Sequence, residues 1–278
     1  MQKIGFSLQD KYALPLPEIF PLLQAAGFYA ASPQWQRDMR PAEIARAAER
    51  CGLILQSLHA PFRGLPGMWS SEEAQFAPIL KDLLQSVRDC AACGIAVLVV
   101  HSWGGIQYTF REEELVFDHF DKVVDCARKE GVQIAFENLE GPEFLHALLS
   151  RYQNLPHVGL CWDSGHELCY TPSRDFLRDY GDRLLMTHLN DNYGITRPDG
   201  QLLGTDDLHL FPYDGIADWE KTMARLQQAN RQQILSFELK IRPKGDRCTT
   251  DLYSAMPLDA YFAEAYRRAS RAAATYWK

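Results

Sequence analysis

Six short apolar segments of this 278-residue chain each lead into a histidine or a carboxylate. The segments read SLHAPF, VVHSWGG, IAFENLEG, LCWDSGHE, MTHLNDN and SFELK, and the residues in question are His59, His101, Glu137, Asp163, His188 and Glu238. Carboxylates that are crowded together in a low-dielectric pocket repel one another unless a cation offsets their charge. Mixed imidazole and carboxylate ligands suit Zn²⁺, Mn²⁺, Fe²⁺ or Co²⁺ better than Ca²⁺. If the six segments end at one place in the fold, they predict a divalent-metal site.

Two further clusters extend this set. His166 follows Asp163 by three residues, which places an imidazole one short turn past the carboxylate. Asp207 and His209 have a spacing that can point both side chains the same way, and they lie in the longest irregular stretch, Asn190–Gly215. A loop of that length inside a compact domain tends to be functional. The other interpretation of Asp207 and His209 is an ordinary solvated loop.

The elements that must position these residues alternate along the chain. The predicted strands are Lys3–Ser7, Gly27–Ala30, Leu53–His59, Ala96–His101, Val132–Glu137, Val158–Asp163, Leu184–Leu189 and Ile234–Leu239. Helical patterns lie between and after them, including Glu72–Cys93, Glu113–Glu130, Pro142–Tyr152, Ala217–Ala229 and Leu258–Ala273. Eight such alternations favour a single (β/α)8 TIM barrel over residues 1–278, because strand–helix alternation implies parallel pairing. The six polar ends would then meet at the C-terminal mouth, where barrel active sites lie.

Side-chain alternation along the strands supports this orientation. Residues two positions before each polar end share its face, and they are Ser57, Val99, Ala135, Cys161, Met186 and Ser236. The opposite face carries Leu58, Val100, Phe136, Trp162, Thr187 and Phe237. Mostly small residues facing inward and larger ones facing the helices are what a barrel interior requires.

The net charge and the apolar composition of the chain indicate which partners and which cellular location to expect. The formal charge of −7 argues against a nucleic-acid partner, since such proteins usually present a basic face. No apolar run is long enough to span a membrane, and the N-terminal segment lacks the apolar core of a signal peptide. We therefore expect a cytoplasmic location.

The seven cysteines are expected to be reduced, and Cys90 and Cys93 are interpreted as two buried helix residues rather than a redox pair.

These segments resemble the sugar phosphate isomerase/epimerase family, the xylose isomerase-like barrels, whose superfamily also contains endonuclease IV. In ketose 3-epimerase members, two Glu, one Asp and one His hold one metal. By motif, these ligands fall on Glu137, Asp163, His188 and Glu238, and the family's substrate-contacting histidine falls on His166. The endonuclease IV pattern adds a possible second metal or substrate shell, which comprises His59, His101, Asp207 and His209. The epimerases carry an arginine shortly after the ligand histidine, and the segment that follows His188 has none.

The resemblance implies an aldose–ketose isomerase or keto-sugar epimerase that acts on a small carbohydrate-like substrate through a metal-bound enediolate. Glu137 and Glu238 would be the acid and base, and His166 would bind the developing oxyanion. Among Mn, Zn, Co and Mg, we favour Mn or Zn, with one tightly bound ion. The aromatic residues predicted to cover the substrate are Phe62, Trp103 and Tyr193, although such rings often only pack under loops. Assembly into a homo-oligomer stays open.

Three other functions fit the same residues. A dehydratase of a keto-polyol begins with the same α-proton abstraction. An abasic-site phosphodiesterase like endonuclease IV would use up to three metals. A metal-stabilised sugar-binding module would bind a sugar without catalysing a reaction. The shape of the pocket discriminates between them: a closed, sugar-sized pocket supports the isomerase, and a wide, basic groove supports the nuclease.

Overall fold

Parallel strands and helices alternate throughout the computed structural model, which describes residues 3–8, 12–242 and 251–277. The strands are β1 Ile4–Leu8, β2 Ala30–Pro33, β3 Ile54–Leu55, β4 Ser57–His59, β5 Val97–His101, β6 Gln133–Glu137, β7 Val158–Asp163, β8 Leu184–His188 and β9 Leu235–Glu238. The helices are α1 Leu16–Ala26, α2 Pro41–Arg50, α3 Glu73–Ala92, α4 Asp118–Glu130, α5 Pro142–Arg151, α6 Ser164–Cys169, α7 Phe176–Tyr180, α8 Trp219–Gln228, α9 Asp251–Ser254 and α10 Leu258–Ala272.

The strands close into a ring. Two parallel sheets have the orders β3-β2-β1-β9 and β4-β5-β6-β7-β8. Parallel bridges between Gln34 and His59 and between Leu189 and Phe237 join them at both seams. β3 and β4 are consecutive parts of one barrel strand, interrupted at Gln56, so the nine described strands fill eight positions. The predicted (β/α)8 barrel is confirmed.

The barrel has an inner and an outer apolar layer. Inside the ring, a small cluster contains Val97, Val99, Ala135, Cys161 and Met186. The larger cluster between strands and helices contains the predicted outward residues Leu58, Val100, Phe136, Trp162 and Phe237. Because successive strand residues face opposite sides, this division orients strands β4 to β9 and directs the last side chain of each into the mouth. The predicted alternation is therefore confirmed.

Two predicted boundaries were wrong. The second strand was predicted at Gly27–Ala30 and lies at Ala30–Pro33. Gly27 has φ +105° and caps α1, and the N–H of Phe28 still donates to the Leu23 carbonyl at 3.1 Å. A left-handed glycine of this kind ends a helix, so the extended strand can begin only after it. The helix predicted from Glu113 begins at Asp118, because residues 112–114 form a separate 3₁₀ turn.

The cysteine prediction agrees with the structure. Cys90 and Cys93 are buried at the end of α3, and neither forms a disulfide. Burial raises the pKa of both thiols, that of Cys93 to about 11. Thiols with a raised pKa are poor nucleophiles, since the thiolate is the reactive form. Cys248 lies outside the described residues.

None of the described helices is both long enough and apolar enough to cross a membrane.

Candidate metal centre

Four side chains at the carboxyl ends of β6 to β9 converge at one point in the mouth. One ligand atom from each of Glu137, Asp163, His188 and Glu238 lies within 4.8 Å of the others. The strand register contributes to this, since Asp163 is paired with His188 across β7 and β8. All four residues are at most 4% exposed. The structure thus brings together the four predicted metal ligands.

His188 lies between the two glutamates. Its Nδ1 atom is 2.8 Å from Glu137 Oε1 and 2.8 Å from Glu238 Oε2. One imidazole N–H can donate to only one acceptor, and in the described part of the chain no hydrogen bond reaches Glu238 Oε2. A buried carboxylate oxygen without a donor is destabilising. A divalent cation would satisfy all three atoms at once, so the donor set fits a metal.

A second group lies on the β4 and β5 side of Glu137. His59 Nε2 and His101 Nε2 are 3.2 Å and 3.3 Å from Glu137 Oε2. His59 Nδ1 is 2.8 Å from the Ala60 carbonyl oxygen. A carbonyl can only accept, so Nδ1 is the donor, and a neutral His59 therefore aims the lone pair of Nε2 at a carboxylate. Two facing acceptors require a proton or a cation between them.

The third group has the same geometry. His166 Nε2 and His209 Nε2 are 3.4 Å and 2.8 Å from Asp207 Oδ1. The Nδ1 atoms face backbone carbonyls, that of Asn138 at 3.0 Å and that of Glu238 at 3.1 Å. Carbonyl contacts of this kind fix the tautomer and the ring orientation of metal-binding histidines. The structure therefore assembles all nine predicted site residues into three adjoining groups.

Burial and charge compete at these residues. Burial alone would raise the pKa of Glu137 and Glu238, but the histidines around them, with His188 the strongest, hold both pKa values below their usual range. Burial lowers the pKa of His188, and contacts with Cys161, Glu238 and Glu137 outweigh it and raise this pKa well above its usual value. Both glutamates are therefore ionised at neutral pH.

His166 behaves in the same way. Its burial lowers its pKa, but Asp163 first and Asp207 second outweigh burial and raise it to about 10. The pKa of Asp163 is raised, mainly by burial. Protons on His166 and His188 thus supply positive charge where a divalent ion would otherwise supply it. A metal ion that bound at these nitrogens would have to displace these protons, because only a deprotonated nitrogen coordinates.

Asparagine side chains hold Asp163 in place. Asn190 Nδ2 donates to both of its carboxylate oxygens, at 3.1 Å and 3.0 Å. Asn138 accepts from the Asp163 N–H at 2.7 Å and donates to its carbonyl oxygen at 2.9 Å. The His166 N–H adds a bond to Asp163 Oδ1 at 2.7 Å, which makes Asp163 the N-cap of α6. Donors around a ligand carboxylate orient it toward the metal.

Two side chains order the long stretch that carries Asp207 and His209. Asn192 Oδ1 accepts the backbone N–H groups of Leu208 at 2.5 Å and His209 at 3.2 Å. His209 has φ +51°, a left-handed conformation that this pair of bonds holds. The Asp191 carboxylate accepts four further hydrogen bonds, from the N–H groups of Asn192, Tyr213 and Ala217 and from the Trp219 indole. The prediction of a functional loop in this stretch is consistent with its placement of Asp207 and His209.

A cavity of about 480 Å³ opens beside the three groups. Phe62 lines it, with its ring stacked on His101 at a centroid distance of 4.9 Å. Trp103 and Tyr193 are not among the described residues of its wall. The Trp103 ring instead stacks on the ring of Phe144 in α5, with a centroid distance of 4.1 Å. Of the three aromatic residues predicted to contact substrate, the structure places Phe62 at the cavity.

Four polar residues of the cavity wall were not predicted. They are Arg63, Glu140, Tyr170 and Lys240. Two of them carried a usable signal, because Glu140 follows Glu137 by three residues and Lys240 follows Glu238 by two. Arg63 and Tyr170 lie in connecting segments, where no periodic pattern predicts which way a side chain points.

A larger groove, of about 940 Å³, lies on the outside of the barrel. Residues of α5 and α7, including His146 and Tyr180, line it. It contains none of the metal-ligating groups that occur in the described residues. The largest cavity is therefore not the one beside the candidate metal ligands, which lie at the mouth.

A closed parallel barrel with ionisable side chains gathered at its C-terminal mouth has the architecture of the barrel enzymes. The chain belongs to the xylose isomerase-like TIM barrel family, whose model matches residues 20–265. The resemblance predicted from the strand-end motifs is thereby confirmed. A curated relative, the uncharacterized protein y4fM of Sinorhizobium fredii, is 36% identical over an alignment of 171 residues, and the match covers 56% of this chain and 51% of that protein. The chain thus spans about half the length of this relative.

Solved structures with this fold include sugar epimerases. The IolI protein with a bound zinc atom has a TM-score of 0.78 at 18% identity, with 99% of both chains covered. D-allulose 3-epimerase from Methylomonas sp. has a TM-score of 0.71 at 17% identity, with 98% of both chains covered. The 3-keto-D-glucoside 4-epimerase YcjR from E. coli has a TM-score of 0.69 at 17% identity, with 95% of this chain and 97% of that chain covered. At these identities the similarity shows the fold.

Proposed function

We propose that this protein is a divalent-metal-dependent isomerase or epimerase of a small carbohydrate-like substrate. The observation that carries the proposal is the convergence of Glu137, Asp163, His188 and Glu238 beside a cavity of about 480 Å³. This volume lies within the ~300–1,000 Å³ usual for small-molecule sites. Sugar epimerases and the zinc-binding IolI among the proteins of similar fold support the same assignment.

The four converging side chains would hold the ion. Their mixture of one imidazole and three carboxylates suits Zn²⁺ or Mn²⁺ among Mn, Zn, Co and Mg. A bound divalent ion would supply Lewis acidity toward a carbonyl oxygen and a neighbouring hydroxyl oxygen. The oxygen without a hydrogen-bond donor on Glu238 and the shared contact at His188 are the features of this chain that fit such an ion.

Glu137 and Glu238 are suited to move the proton. They flank His188 from two sides, so one carboxylate can remove a proton from the carbon next to the carbonyl and the other can return it. Their lowered pKa values keep both ionised at neutral pH but make them weak bases. The step therefore relies on the acidity of a C–H beside a polarised carbonyl. His166 is suited to donate a hydrogen bond to the oxygen that gains negative charge.

A second candidate is an abasic-site phosphodiesterase. The two additional groups at His59 and His101 and at Asp207 and His209 favour it, because three adjoining groups could hold three ions. The net charge of −7 weighs against it, and so does a cavity wall whose described cations are Arg63 and Lys240. DNA binders draw most of their affinity from neutralising phosphates. We therefore propose that nucleic acid is not the substrate.

The test is a screen of small sugars in D₂O, read by NMR. An isomerase or epimerase that uses the two glutamates will carry deuterium onto the carbon that loses its proton. Glu137→Gln and Glu238→Gln keep the side-chain size and remove the basic oxygen, so activity should fall by about 10²–10⁴-fold. Metal content measured in the same proteins separates lost proton transfer from lost metal. Turnover without deuterium would refute the two-glutamate mechanism, and a product that has lost water would indicate a dehydratase.

A further inference from the structure

Glu140 is a carboxylate of the cavity wall that the metal centre does not use. It lies in the loop after β6, three residues beyond Glu137, and it is 8% exposed. It belongs to none of the metal-binding groups found among the described residues. Its Oε1 atom accepts the Gly105 N–H at 2.5 Å, and no bond to a described residue occupies its other oxygen. This second oxygen is not among the sealed, unpartnered polar atoms of the described residues, so it is open to the cavity, where a ligand can reach it.

Tyr170 contributes a hydroxyl to the same cavity. Its ring stacks on His166 at a centroid distance of 5.5 Å, and it too is 8% exposed. Its phenol forms no hydrogen bond with any described residue. A phenol is protonated near neutral pH, so it can donate a hydrogen bond. An acceptor and a donor therefore lie near one another, beside the metal centre and distinct from it.

We propose that Glu140 and Tyr170 form the subsite that binds the hydroxyl groups of the substrate beyond its reacting carbon. A carboxylate oxygen accepts from sugar hydroxyls, and a phenol donates to them, so the pair matches a neutral polyol chain. A carboxylate or phosphate placed at the same point would be repelled by Glu140. The proposal rests on the proposed function and adds a substrate class, a neutral polyhydroxy ketone or aldehyde.

The fixed position of Glu140 strengthens this assignment. Trp103 Nε1 donates to the Gly105 carbonyl oxygen at 2.9 Å, and its ring is stacked on Phe144. Gly105 in turn holds one oxygen of Glu140, so the loop holds the carboxylate in place. A subsite that is held by packing binds its ligand without the cost of ordering a side chain.

Glu140→Gln tests the subsite without disturbing the loop. Its amide oxygen can still accept from Gly105, while an NH₂ group replaces the second oxygen. The measurement is kcat/KM for α-proton exchange in D₂O with a ketohexose and with dihydroxyacetone, which lacks the distal hydroxyls. Preference for the ketohexose should fall about 10- to 100-fold, the size of one hydrogen bond to a charged group, while exchange of dihydroxyacetone and zinc content stay unchanged. Tyr170→Phe should lower the preference less, by about 3- to 10-fold.

Glu143→Gln is the matched control, because Glu143 lies outside the cavity wall and contacts Tyr108. It should leave the preference unchanged. An unchanged preference in Glu140→Gln, with an active wild-type protein, overturns the subsite and leaves the proposed function standing. A wild-type protein that prefers a phosphorylated or carboxylated sugar, with that preference lost in Arg63→Gln, also overturns it. Absence of both exchange and turnover with every sugar in the wild-type protein would instead refute the proposed function.

Discussion

Replacement of Asn190 by alanine tests how the outer contacts act on the metal centre. Asn190 donates to both oxygens of Asp163, and its loss leaves that carboxylate with the backbone N–H of His166 on one oxygen. The pKa of Asp163, already raised by burial, should rise further, so protons compete more strongly with the metal. Removing a partner that orients a ligand typically weakens metal binding by ~10–100-fold, which is about 1.4–2.8 kcal/mol.

The assay is a zinc competition titration with a chromophoric chelator, at about pH 6.5 and about pH 8. We expect the larger loss of affinity in Asn190→Ala at the lower pH, because the protonated form of Asp163 is then more populated. Asn230→Ala is the control, since Asn230 donates to the Leu184 carbonyl at 3.1 Å, at the opposite end of β8. Zinc affinity in Asn190→Ala equal to that of the wild type at both pH values would refute the reasoning.

Three other predictions concern the same mouth. His188→Ala and Glu238→Gln should each lose bound zinc, as measured by elemental analysis; wild-type metal content in both would contradict the ligand assignment. Zinc affinity should rise with pH, because the pKa of His188 is raised and each imidazole that binds must first release its proton; calorimetry in two buffers of different ionisation enthalpy should detect the released protons, and a pH-independent affinity would count against this. Asp191→Ala should lower the free energy of unfolding by about 3 kcal/mol or more, because several buried N–H groups lose their acceptor, each worth ~1–3 kcal/mol; a urea midpoint like that of the wild type would show that the Asp191 bonds contribute little.

The barrel and its strand-end ligands could be predicted because both follow from period-two patterns. Asp163 and His188 each end an apolar run, and parallel pairing then places them side by side. The second strand was predicted three residues too early, because the prediction began it at Gly27, the residue that caps α1. The extended backbone begins only at Ala30.

The remaining parts of the cavity depend on contacts between distant segments. Glu140 faces the cavity because Gly105, 35 residues earlier in the chain, binds one of its oxygens. Trp103 is a residue type that often stacks on sugars, yet its ring packs against Phe144 instead. Such choices depend on loop conformation, which sequence periodicity does not encode. The sequence therefore indicates which side chains end the strands better than it indicates which side chains the loops direct into the cavity.

The bonds from Asp191 and Asn192 have a consequence for the kinetics of metal binding. The residues between β8 and α8 are held by the protein's own side chains, so Asp207 and His209 do not depend on an ion for their positions. Ordering a free backbone costs ~1–2 kcal/mol of conformational entropy per residue. In this stretch the backbone is already ordered in the folded protein before any ion binds. An ion that binds at this group should therefore enter at the pace at which it sheds its water molecules, without a slower phase of loop closure.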